Sequence, residues 1–280
     1  MGKLQNYKTL WPKGTVSCIG SVMIDLLQAA ILGIVEGITE FLPISSTGHL
    51  ILTTHLLGIA QTEFAKTFEI AIQLGAILSV VVLYWRRLFI DRDVFKKVVV
   101  AFLPTAVLGF GFYKLIKKFL LGNSSVVLWS LFLGGVFLII FELIHKENKD
   151  GDNDLSTISY KQSFLIGIFQ SIAMVPGVSR SAATIIGGLS LGLKRRVVVE
   201  FSFLLAVPTM LAATGLDMMK NFHTFSSAQF DSLLVGFVIS FISAMLGIKF
   251  LIAFIRNHSF VLFGIYRIIL VIFFWFFGGN

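Results

Sequence analysis

Residues 36–49 of the chain read EGITEFLPISSTGH, and this stretch decides the fold. Glu36 and Glu40 lie on an otherwise apolar helical segment that breaks at Pro43. Three hydroxyl residues then follow in succession: Ser45, Ser46 and Thr47. A membrane-spanning helix does not carry such a break, because the freed backbone groups would need partners other than lipid. The stretch therefore predicts a re-entrant helical hairpin over residues 26–58.

The same pattern returns in the second half of the chain. ILGIVEGI at 31–38 matches LIGIFQSI at 165–172, and each copy leads into a proline and a serine. In the second copy Gln170 stands where Glu36 stands in the first. Such internal similarity indicates a repeat architecture. We therefore predict a second re-entrant hairpin over residues 162–192.

Further apolar segments of membrane-spanning length, about 20 residues, complete each half. An acidic residue opens the first of them in each half, Glu69 and Glu200 respectively. The others cover residues 98–120, 126–144, 232–255 and 260–277. Three crossings in each half are an odd number, so the second half is inverted relative to the first.

The predicted fold is an all-α polytopic membrane protein with two inverted-topology repeats, about six spanning helices and two re-entrant helical hairpins. Repeat one covers about 26–145 and repeat two about 161–280, within a single integral membrane domain at 23–280. Residues 1–22 are polar, and we predict a disordered tail without chemistry, unless Met23 is the true start of the protein.

Composition supports a membrane protein. Hydrophobic residues make up 56% of the chain and charged residues only 14%, whereas soluble domains carry about a quarter charged residues. The formal net charge is +8, but the Lys and Arg residues lie in short clusters between apolar segments, which argues against a nucleic-acid partner. Cys18 is the only cysteine, which excludes an intrachain disulfide and a multi-cysteine metal site.

The basic clusters also predict an orientation. One face of the predicted fold holds most of the cations: Arg86, Arg87, Arg92, Lys96, Lys97, Lys146, Lys149, Lys161, Lys194, Arg195, Arg196 and Arg256. The loops of the opposite face hold only Lys114, Lys117, Lys118 and Lys220. The basic face should be cytoplasmic, with both termini outside, although the lysines of the N-terminal tail argue mildly the other way.

Glu36 and Glu40 are the first candidates for chemistry. Their spacing of four residues puts both carboxylates on one helical face. A carboxylate within an apolar segment usually faces a cavity or a partner. The pair suits a general base, a divalent metal site, or both. A buried structural pair bonded to backbone or arginine is the alternative interpretation.

The hydroxyls that follow Pro43 offer donors and exposed amides to an anion. His49 lies three residues after Ser46, within reach as a base or an acid. Ser-Ser-Thr-Gly alone is an ordinary turn and helix cap. The two intramembrane glutamates beside it favour the functional interpretation.

The second copy carries PGVSRSAAT at 176–184. Arg180, flanked by Ser179 and Ser181, is a natural partner of phosphate because its planar fork donates two parallel hydrogen bonds. A helix that begins near Ser181 would add its amides to the anion site. Alternatively, Arg180 neutralises one of the two glutamates and holds the repeats together, and the two roles are compatible.

Other residues receive structural interpretations. Gly33 and Gly37 are predicted to let helices pack closely. Glu69 and Glu200 are expected to cap or pair near helix ends, with a role at a cavity as the alternative. Arg267, in the last apolar segment, is expected either to snorkel to the interface or to pair internally.

These motifs resemble one family closely: the undecaprenyl-diphosphate phosphatases of the bacitracin-resistance type. Its hallmarks are Glu-x-x-x-Glu leading into Phe-Leu-Pro-x-Ser-Ser-Thr-Gly-His, and Pro-Gly-x-Ser-Arg-Ser-x-x-Thr. Both stand here without departure, at 36–49 and 176–184. EFSFLLAVP at 200–208 is also similar to the family. The similarity runs from about Leu26 to the C-terminus.

The resemblance implies an enzyme of the bacterial inner membrane, with its active site open to the periplasm. It implies hydrolysis of undecaprenyl diphosphate to undecaprenyl phosphate and inorganic phosphate, which recycles the lipid carrier of peptidoglycan synthesis and confers bacitracin resistance. It also implies a divalent cation, Mg or Ca, held by Glu36 and Glu40. By position, the implied functional residues are Glu36, Glu40, Ser46, His49 and Arg180, with phosphate-binding support from Ser45, Thr47, Ser179, Ser181 and Thr184.

Under this resemblance Ser46 is the expected nucleophile, with Glu40 or His49 accepting its proton. Attack by His49 or directly by water stays open. A flippase for polyprenyl phosphate is the rival from another class, although the carboxylate, hydroxyl and imidazole cluster exceeds what phosphate binding needs. The phosphatidic acid phosphatase class is excluded, because its His-x-x-x-Asp does not follow Arg180. A homo-oligomer is compatible with the sequence.

Overall fold

A computed structural model of the chain describes residues 24–60, 62–119, 124–145, 154–221 and 229–277. The regular structure in these ranges is helical: α1 (Leu26–Phe41), α2 (Ser46–Leu56), α3 (Glu63–Phe89), α4 (Arg92–Phe119), α5 (Ser124–Ile144), α6 (Tyr160–Ser171), α7 (Arg180–Ser190), α8 (Arg195–Asn221), α9 (Phe230–Phe254) and α10 (Val261–Phe277). Single 3₁₀ turns at Leu155–Thr157 and Ile172–Met174 precede and follow α6. The expected disordered tail at 1–22 lies outside the described residues.

The two repeats are visible in the order of the helices. A pair of short helices opens each half, α1 with α2 and α6 with α7, and three further helices complete it. Helices α3, α4, α5, α8 and α9 are long and apolar enough to cross a membrane. The sixth expected crossing, α10, is a shorter apolar helix that packs against α5. The all-α polytopic fold is therefore confirmed with five helices of spanning length among the described residues, and a crossing by α10 stays a prediction.

Local sequence signals set the bounds of the hairpins. Asp25 caps α1 and Ser159 caps α6, each in a capping box that Gln28 and Gln162 complete. Both side chains and backbones exchange hydrogen bonds there, so two amides of each helix start are satisfied. Helix α1 ends before Leu42, whose φ of −78° and ψ of 150° are extended. The proline that follows restricts this residue to that conformation.

The two halves exchange their first helices. Helix α1 packs along α9 of the second half, and α6 packs along α4 of the first. Helix α3 contacts both α8 and α9, while α5 contacts α10. Because α1 and α6 are repeat equivalents, as are α4 and α9, these contacts relate the halves by a pseudo-two-fold axis. The repeats are thus interlocked rather than placed side by side.

Glycines allow α1 and α9 to touch. A Cβ on Gly37 would lie 2.5 Å from the carbonyl oxygen of Ser240 and 2.7 Å from the amide nitrogen of Ala244. A Cβ on Gly33 would lie 2.7 Å from the carbonyl oxygen of Gly236. Small residues at such crossings let backbones approach closely in membrane proteins. The close-packing prediction for both glycines is confirmed.

Gly37→Ala should push α1 away from α9 and destabilise the protein by about 1–3 kcal/mol, the usual cost of overpacking. The measurement is the midpoint of thermal unfolding of the purified protein in detergent. Gly111→Ala in α4 is the matched control, because a Cβ there meets nothing within 4 Å. Its midpoint should stay level or rise. A Gly37→Ala midpoint equal to that of the control would contradict the close contact.

Candidate active site

The broken turns of the two hairpins meet at one site. Ser45 ends the first turn and Ser179 ends the second, and each is the N-cap of the helix that follows. Both serines have a positive φ, 70° and 79° respectively. Residues other than glycine rarely adopt this conformation, and such strain is concentrated at functional sites. The same strained geometry therefore starts α2 in one repeat and α7 in the other.

Glu40 is held by groups from both repeats. Its Oε1 accepts a hydrogen bond from Nη2 of Arg180 at 2.9 Å, and its Oε2 accepts one from the hydroxyl of Ser46. The ion pair is nearly buried, with side-chain exposures of 9% for Glu40 and 12% for Arg180. A hydroxyl bonded to a carboxylate that a third group orients is the arrangement of an activated nucleophile.

Arg180 has a hydrogen-bond donor that the described residues do not use. Its Nη1 donates to the carbonyl of Ser202 at 2.8 Å, and the guanidinium carbon lies 5.8 Å from the ring centre of Phe41. Its Nε is buried and has no hydrogen-bond partner among the described residues. The structural role foreseen for this arginine, neutralisation of a glutamate across the repeats, is confirmed. The unpartnered N–H leaves room for the second role, because a guanidinium has five donors.

Glu36 is the unsatisfied group of the site. Both its carboxylate oxygens are buried, and neither has a hydrogen-bond partner in the described part of the chain. Glu40, Glu69 and Arg180 are the charges close enough to act on it. Burying a carboxylate without a partner is costly. A group that satisfies these oxygens is therefore expected.

The arrangement fits a cation held jointly by protein and substrate. Among the described residues, no group of three or more His, Cys, Asp and Glu side chains could hold a metal alone. Mg²⁺ commonly binds through one or two carboxylates together with substrate phosphates and water. Glu36 can supply such a ligand directly. Glu40 can join it only by giving up Arg180 or Ser46.

His49 faces the last helix. Its Nδ1 lies 2.8 Å from the carbonyl oxygen of Ser45. A carbonyl only accepts, so Nδ1 carries the proton, and Nε2 accepts from the hydroxyl of Tyr266 at 2.8 Å. The two rings are also stacked, 5.5 Å apart at an angle of 7°. Both imidazole nitrogens are thus engaged, and neither of these bonds is with Ser46.

Two of the predicted phosphate-binding hydroxyls are engaged by the protein itself. Ser181 donates to the carbonyl of Phe41 at 2.8 Å and so ties the two hairpins together. The Thr184 hydroxyl lies 2.6 Å from that of Ser202, whose carbonyl binds Arg180. These contacts indicate a positioning role. Phosphate binding by either hydroxyl stays a prediction.

The start of α2 is the more open end. The Ser179 hydroxyl caps α7 by accepting a hydrogen bond from the amide of Ala182 at 3.2 Å. The side chain of Ser45 makes no such hydrogen bond to α2. Neither Ser45 nor Thr47 has a hydroxyl that bonds to the described residues, and Thr47 is exposed. Uncapped amides at a helix start attract anions. The first turn of α2 can therefore receive a phosphate oxygen.

Arg267 satisfies the backbone of both turns. It is fully buried, and its guanidinium donates to five carbonyl oxygens, those of Pro43, Ser130, Leu131, Gly177 and Val178. The snorkelling interpretation is therefore wrong, and its internal partners are carbonyls rather than an acid. Broken helices leave carbonyls that lipid cannot satisfy, which explains why the arginine turns inward.

Comparison with known proteins places this chain in a family. The model of the family described as "Bacitracin resistance protein BacA" matches residues 29–273. An undecaprenyl-diphosphatase of Sulfurihydrogenibium sp. (strain YO3AOP1) is 57% identical over 244 residues, covering 87% of this chain and 96% of that protein. Those of Aquifex aeolicus and Wolinella succinogenes are each 54% identical, covering 87% and 90% of this chain and 94% and 98% of theirs. This chain belongs to the BacA family.

Within this BacA fold, the two acidic residues that open the third helix of each repeat behave differently. Glu200 pairs with Arg196 at 2.9 Å, which confirms the expected pairing. Glu69 does not cap α3, where Thr62 is the cap, and Lys66, three residues earlier, is the cation that acts on it. Glu69 also lies within electrostatic reach of Glu36. Capping by Glu69 is therefore wrong, whereas its alternative role at the cavity of the site stays a prediction, which its electrostatic effect on Glu36 supports.

Gln170, the repeat equivalent of Glu36, is a structural residue. It is buried, and its amide nitrogen donates to the hydroxyls of Thr105 at 2.8 Å and Thr209 at 3.1 Å. Its polar group is thus satisfied by α4 and α8, whereas that of Glu36 is left open. The BacA site is therefore asymmetric, with its acid in the first repeat only.

Sequence reasoning missed Tyr266 and Ser202. Each lies in a largely apolar helix, and its surroundings along the chain do not identify its partner. Ser202 lies in the stretch at 200–208 that resembles the family. The neighbour of Tyr266, Arg267, is the one clear signal that its helix has an inward polar face.

Tyr266→Phe should keep the ring stack on His49 but remove the hydrogen bond to Nε2. One lost hydrogen bond of about 1 kcal/mol should slow turnover of a polyprenyl diphosphate roughly five- to tenfold, without changing the unfolding midpoint. Tyr160→Phe is the control, because that hydroxyl binds the exposed Asp93 away from the site. Equal turnover by the two variants would show that Tyr266 does not position His49.

Proposed function

We propose that the chain is an undecaprenyl-diphosphatase, which hydrolyses undecaprenyl diphosphate to undecaprenyl phosphate and inorganic phosphate. The observation that carries this proposal is the Ser46 hydroxyl bonded to Glu40, which Arg180 holds from the other repeat. The name shared by the relatives supports the substrate. The reaction regenerates the lipid carrier of peptidoglycan synthesis, and this recycling gives resistance to bacitracin.

Binding of the diphosphate falls to the positive and uncapped groups of the site. Arg180 offers its unpartnered N–H, and the first turn of α2 offers amides that no side chain caps. Both can donate to phosphate oxygens. The terminal phosphate then lies beside Ser46, which begins α2.

The proposed chemistry proceeds in two displacements. The Ser46 oxygen attacks the terminal phosphorus while Glu40 takes its proton. The bond from that phosphorus to the bridging oxygen breaks, and its electron pair leaves with undecaprenyl phosphate. Glu40 passes that proton to the departing undecaprenyl phosphate and is a base again. Water then attacks the phosphoserine while Glu40 takes a proton from the water, and the bond from phosphorus to the Ser46 oxygen breaks. Glu40 returns the proton to that oxygen as inorganic phosphate leaves.

His49 is less suited to be the nucleophile. Its Nδ1 proton is donated to the carbonyl of Ser45, and its Nε2 accepts from Tyr266. Attack on phosphorus needs a free nitrogen lone pair, so one of these bonds would have to break first. Direct attack by water remains the alternative to Ser46.

A divalent cation, Mg or Ca, is part of the proposal. The two unpartnered oxygens of Glu36 support it. When bound, such an ion neutralises charge on the phosphate oxygens and acts as a Lewis acid. Glu36 would hold it, and the diphosphate would supply further ligands.

The chain is a multi-pass membrane protein, and we propose the bacterial inner membrane with the site open to the periplasm. Glu69 lies near the start of α3, whereas Arg86 and Arg87 lie in its last turn. Basic residues concentrate on the cytoplasmic side of such proteins. The carboxylates of the site are therefore nearer the opposite, periplasmic end of this helix.

The direct test is phosphate release from undecaprenyl diphosphate by the purified protein in detergent. Glu40→Gln and Arg180→Lys should each slow release at least about a hundredfold, because they remove the base and the two-pronged cation. Arg87→Lys and Asp91→Asn alter an exposed ion pair of 3.2 Å and are the matched controls.

Controls that stay active while both site variants fail support the proposal. A folded wild type that releases no phosphate contradicts it, and translocation of polyprenyl phosphate in liposomes would then be measured. Quenching the reaction early should also trap phosphate on Ser46. An unlabelled Ser46 during full turnover would favour attack by water.

Glu36→Gln should raise the Mg²⁺ concentration needed for half-maximal activity about tenfold or more, because a neutral amide is a weaker ligand for a hard cation. Activity is measured against Mg²⁺ after EDTA treatment. Asp91→Asn, which removes an exposed carboxylate, should leave the midpoint unchanged. A midpoint that does not move in Glu36→Gln would place the cation elsewhere.

A further inference from the structure

A cavity of about 450 Å³ lies between α3, α8 and α9, apart from the active site. It is lined at the start of α8 by Arg196 and at the end of α9 by Lys249 and Arg256. Tyr84, close to the end of α3, completes this rim. The cavity therefore opens at the ends of these helices where the arginines are concentrated.

The charge of the lining is positive. Arg196, Lys249 and Arg256 face a single carboxylate, Glu200, which Arg196 already binds at 2.9 Å. The side chains of Lys249 and Arg256 have no hydrogen-bond or ion-pair partner within the described ranges. Two uncompensated cations in one concave site attract an anion, because low-dielectric walls focus their field.

The rest of the wall is apolar. Leu83 of α3 and Ile248, Ile252 and Ala253 of α9 line the cavity beside the cations. The outer faces of the same helices expose large side chains, among them Phe250 at 53%. A cavity that combines cations with an apolar wall at a bilayer-facing helix suits the phosphate of a lipid.

Aromatic rings separate this cavity from the active site. Phe41, under the guanidinium of Arg180, meets Phe203 edge to face at 5.5 Å. Phe203 meets Tyr84 at 6.3 Å, and Tyr84 lines the cavity. Phe41 and Phe203 are fully buried. A ligand in the cavity therefore cannot reach Ser46, and its site is a second one.

We propose that this cavity is a second, non-catalytic site that binds a phosphate group, with Lys249 and Arg256 as its free cations. The phosphate is either a lipid headgroup or free inorganic phosphate. The apolar wall beside the cations favours the headgroup. Arg196, held by Glu200, fixes the third side of the site.

The test compares the wild-type protein with the double variant Lys249→Gln/Arg256→Gln. Binding of dioleoyl phosphatidate, dioleoyl phosphatidylcholine and inorganic phosphate to the full chain in detergent is measured by native mass spectrometry. The double variant should bind phosphatidate about tenfold more weakly, as expected for the loss of charge contacts from two exposed side chains. Phosphatidylcholine, which is zwitterionic, should bind weakly to both proteins.

A second variant, Ala253→Phe, fills the cavity without changing its charge and should weaken phosphatidate binding as well. Lys96→Gln/Lys161→Gln removes two exposed lysines outside the cavity and is the control. Each variant is first required to match the wild type in unfolding midpoint, which shows that it is folded.

The arms distinguish the two sources of phosphate. A loss confined to phosphatidate assigns the site to a lipid headgroup, and a loss confined to inorganic phosphate assigns it to the free anion. If the double variant binds phosphatidate and inorganic phosphate as tightly as the wild type does, the proposal is overturned. An equal loss in the lysine control would overturn it too, because the effect would then be one of net charge.

Discussion

The site depends on one guanidinium that is not part of the chemistry. Two helices break inside an apolar layer, and their turns expose carbonyl oxygens that lipid cannot satisfy. Arg267 donates to three of them, on Pro43, Gly177 and Val178, and also to two carbonyls of α5. It thereby fixes both turns relative to each other and to α5. Ser46 and Arg180, which follow these turns, are held at a set distance as a result.

The second consequence is a division of labour between similar halves. Both repeats begin a helix with a serine of positive φ, yet one contributes carboxylates and a hydroxyl and the other a cation. The Glu40–Arg180 ion pair crosses the boundary between them. Neither half can form the site alone, because each supplies the charge that compensates the other. The buried amide of Gln170 shows the same specialisation from the other side.

Much of this could be predicted from the sequence because the signals are local. Proline and glycine mark the broken turns, and the spacing of Glu36 and Glu40 fixes their shared face. The parts that the sequence did not predict come from distant helices: Tyr266, Ser202 and the carbonyl partners of Arg267. A polar residue in an apolar helix indicates that it has a partner, but the sequence does not identify that partner. For the same reason the position of Glu69 along the chain does not show that its charge acts on Glu36.

The exchange of first helices has a consequence for biosynthesis. Helix α1 ends at Phe41, but α9, the surface it packs against, begins only at Phe230. The ribosome synthesises the first hairpin long before α9. Until α9 is made, the glycine face of α1 and the carboxylate of Glu36 remain unpacked, beside the translocon or in lipid. The chain resembles a swapped dimer whose two copies were fused. The active site can therefore form only after the chain has been synthesised through α9, because a chain that ends earlier lacks the helix against which α1 packs.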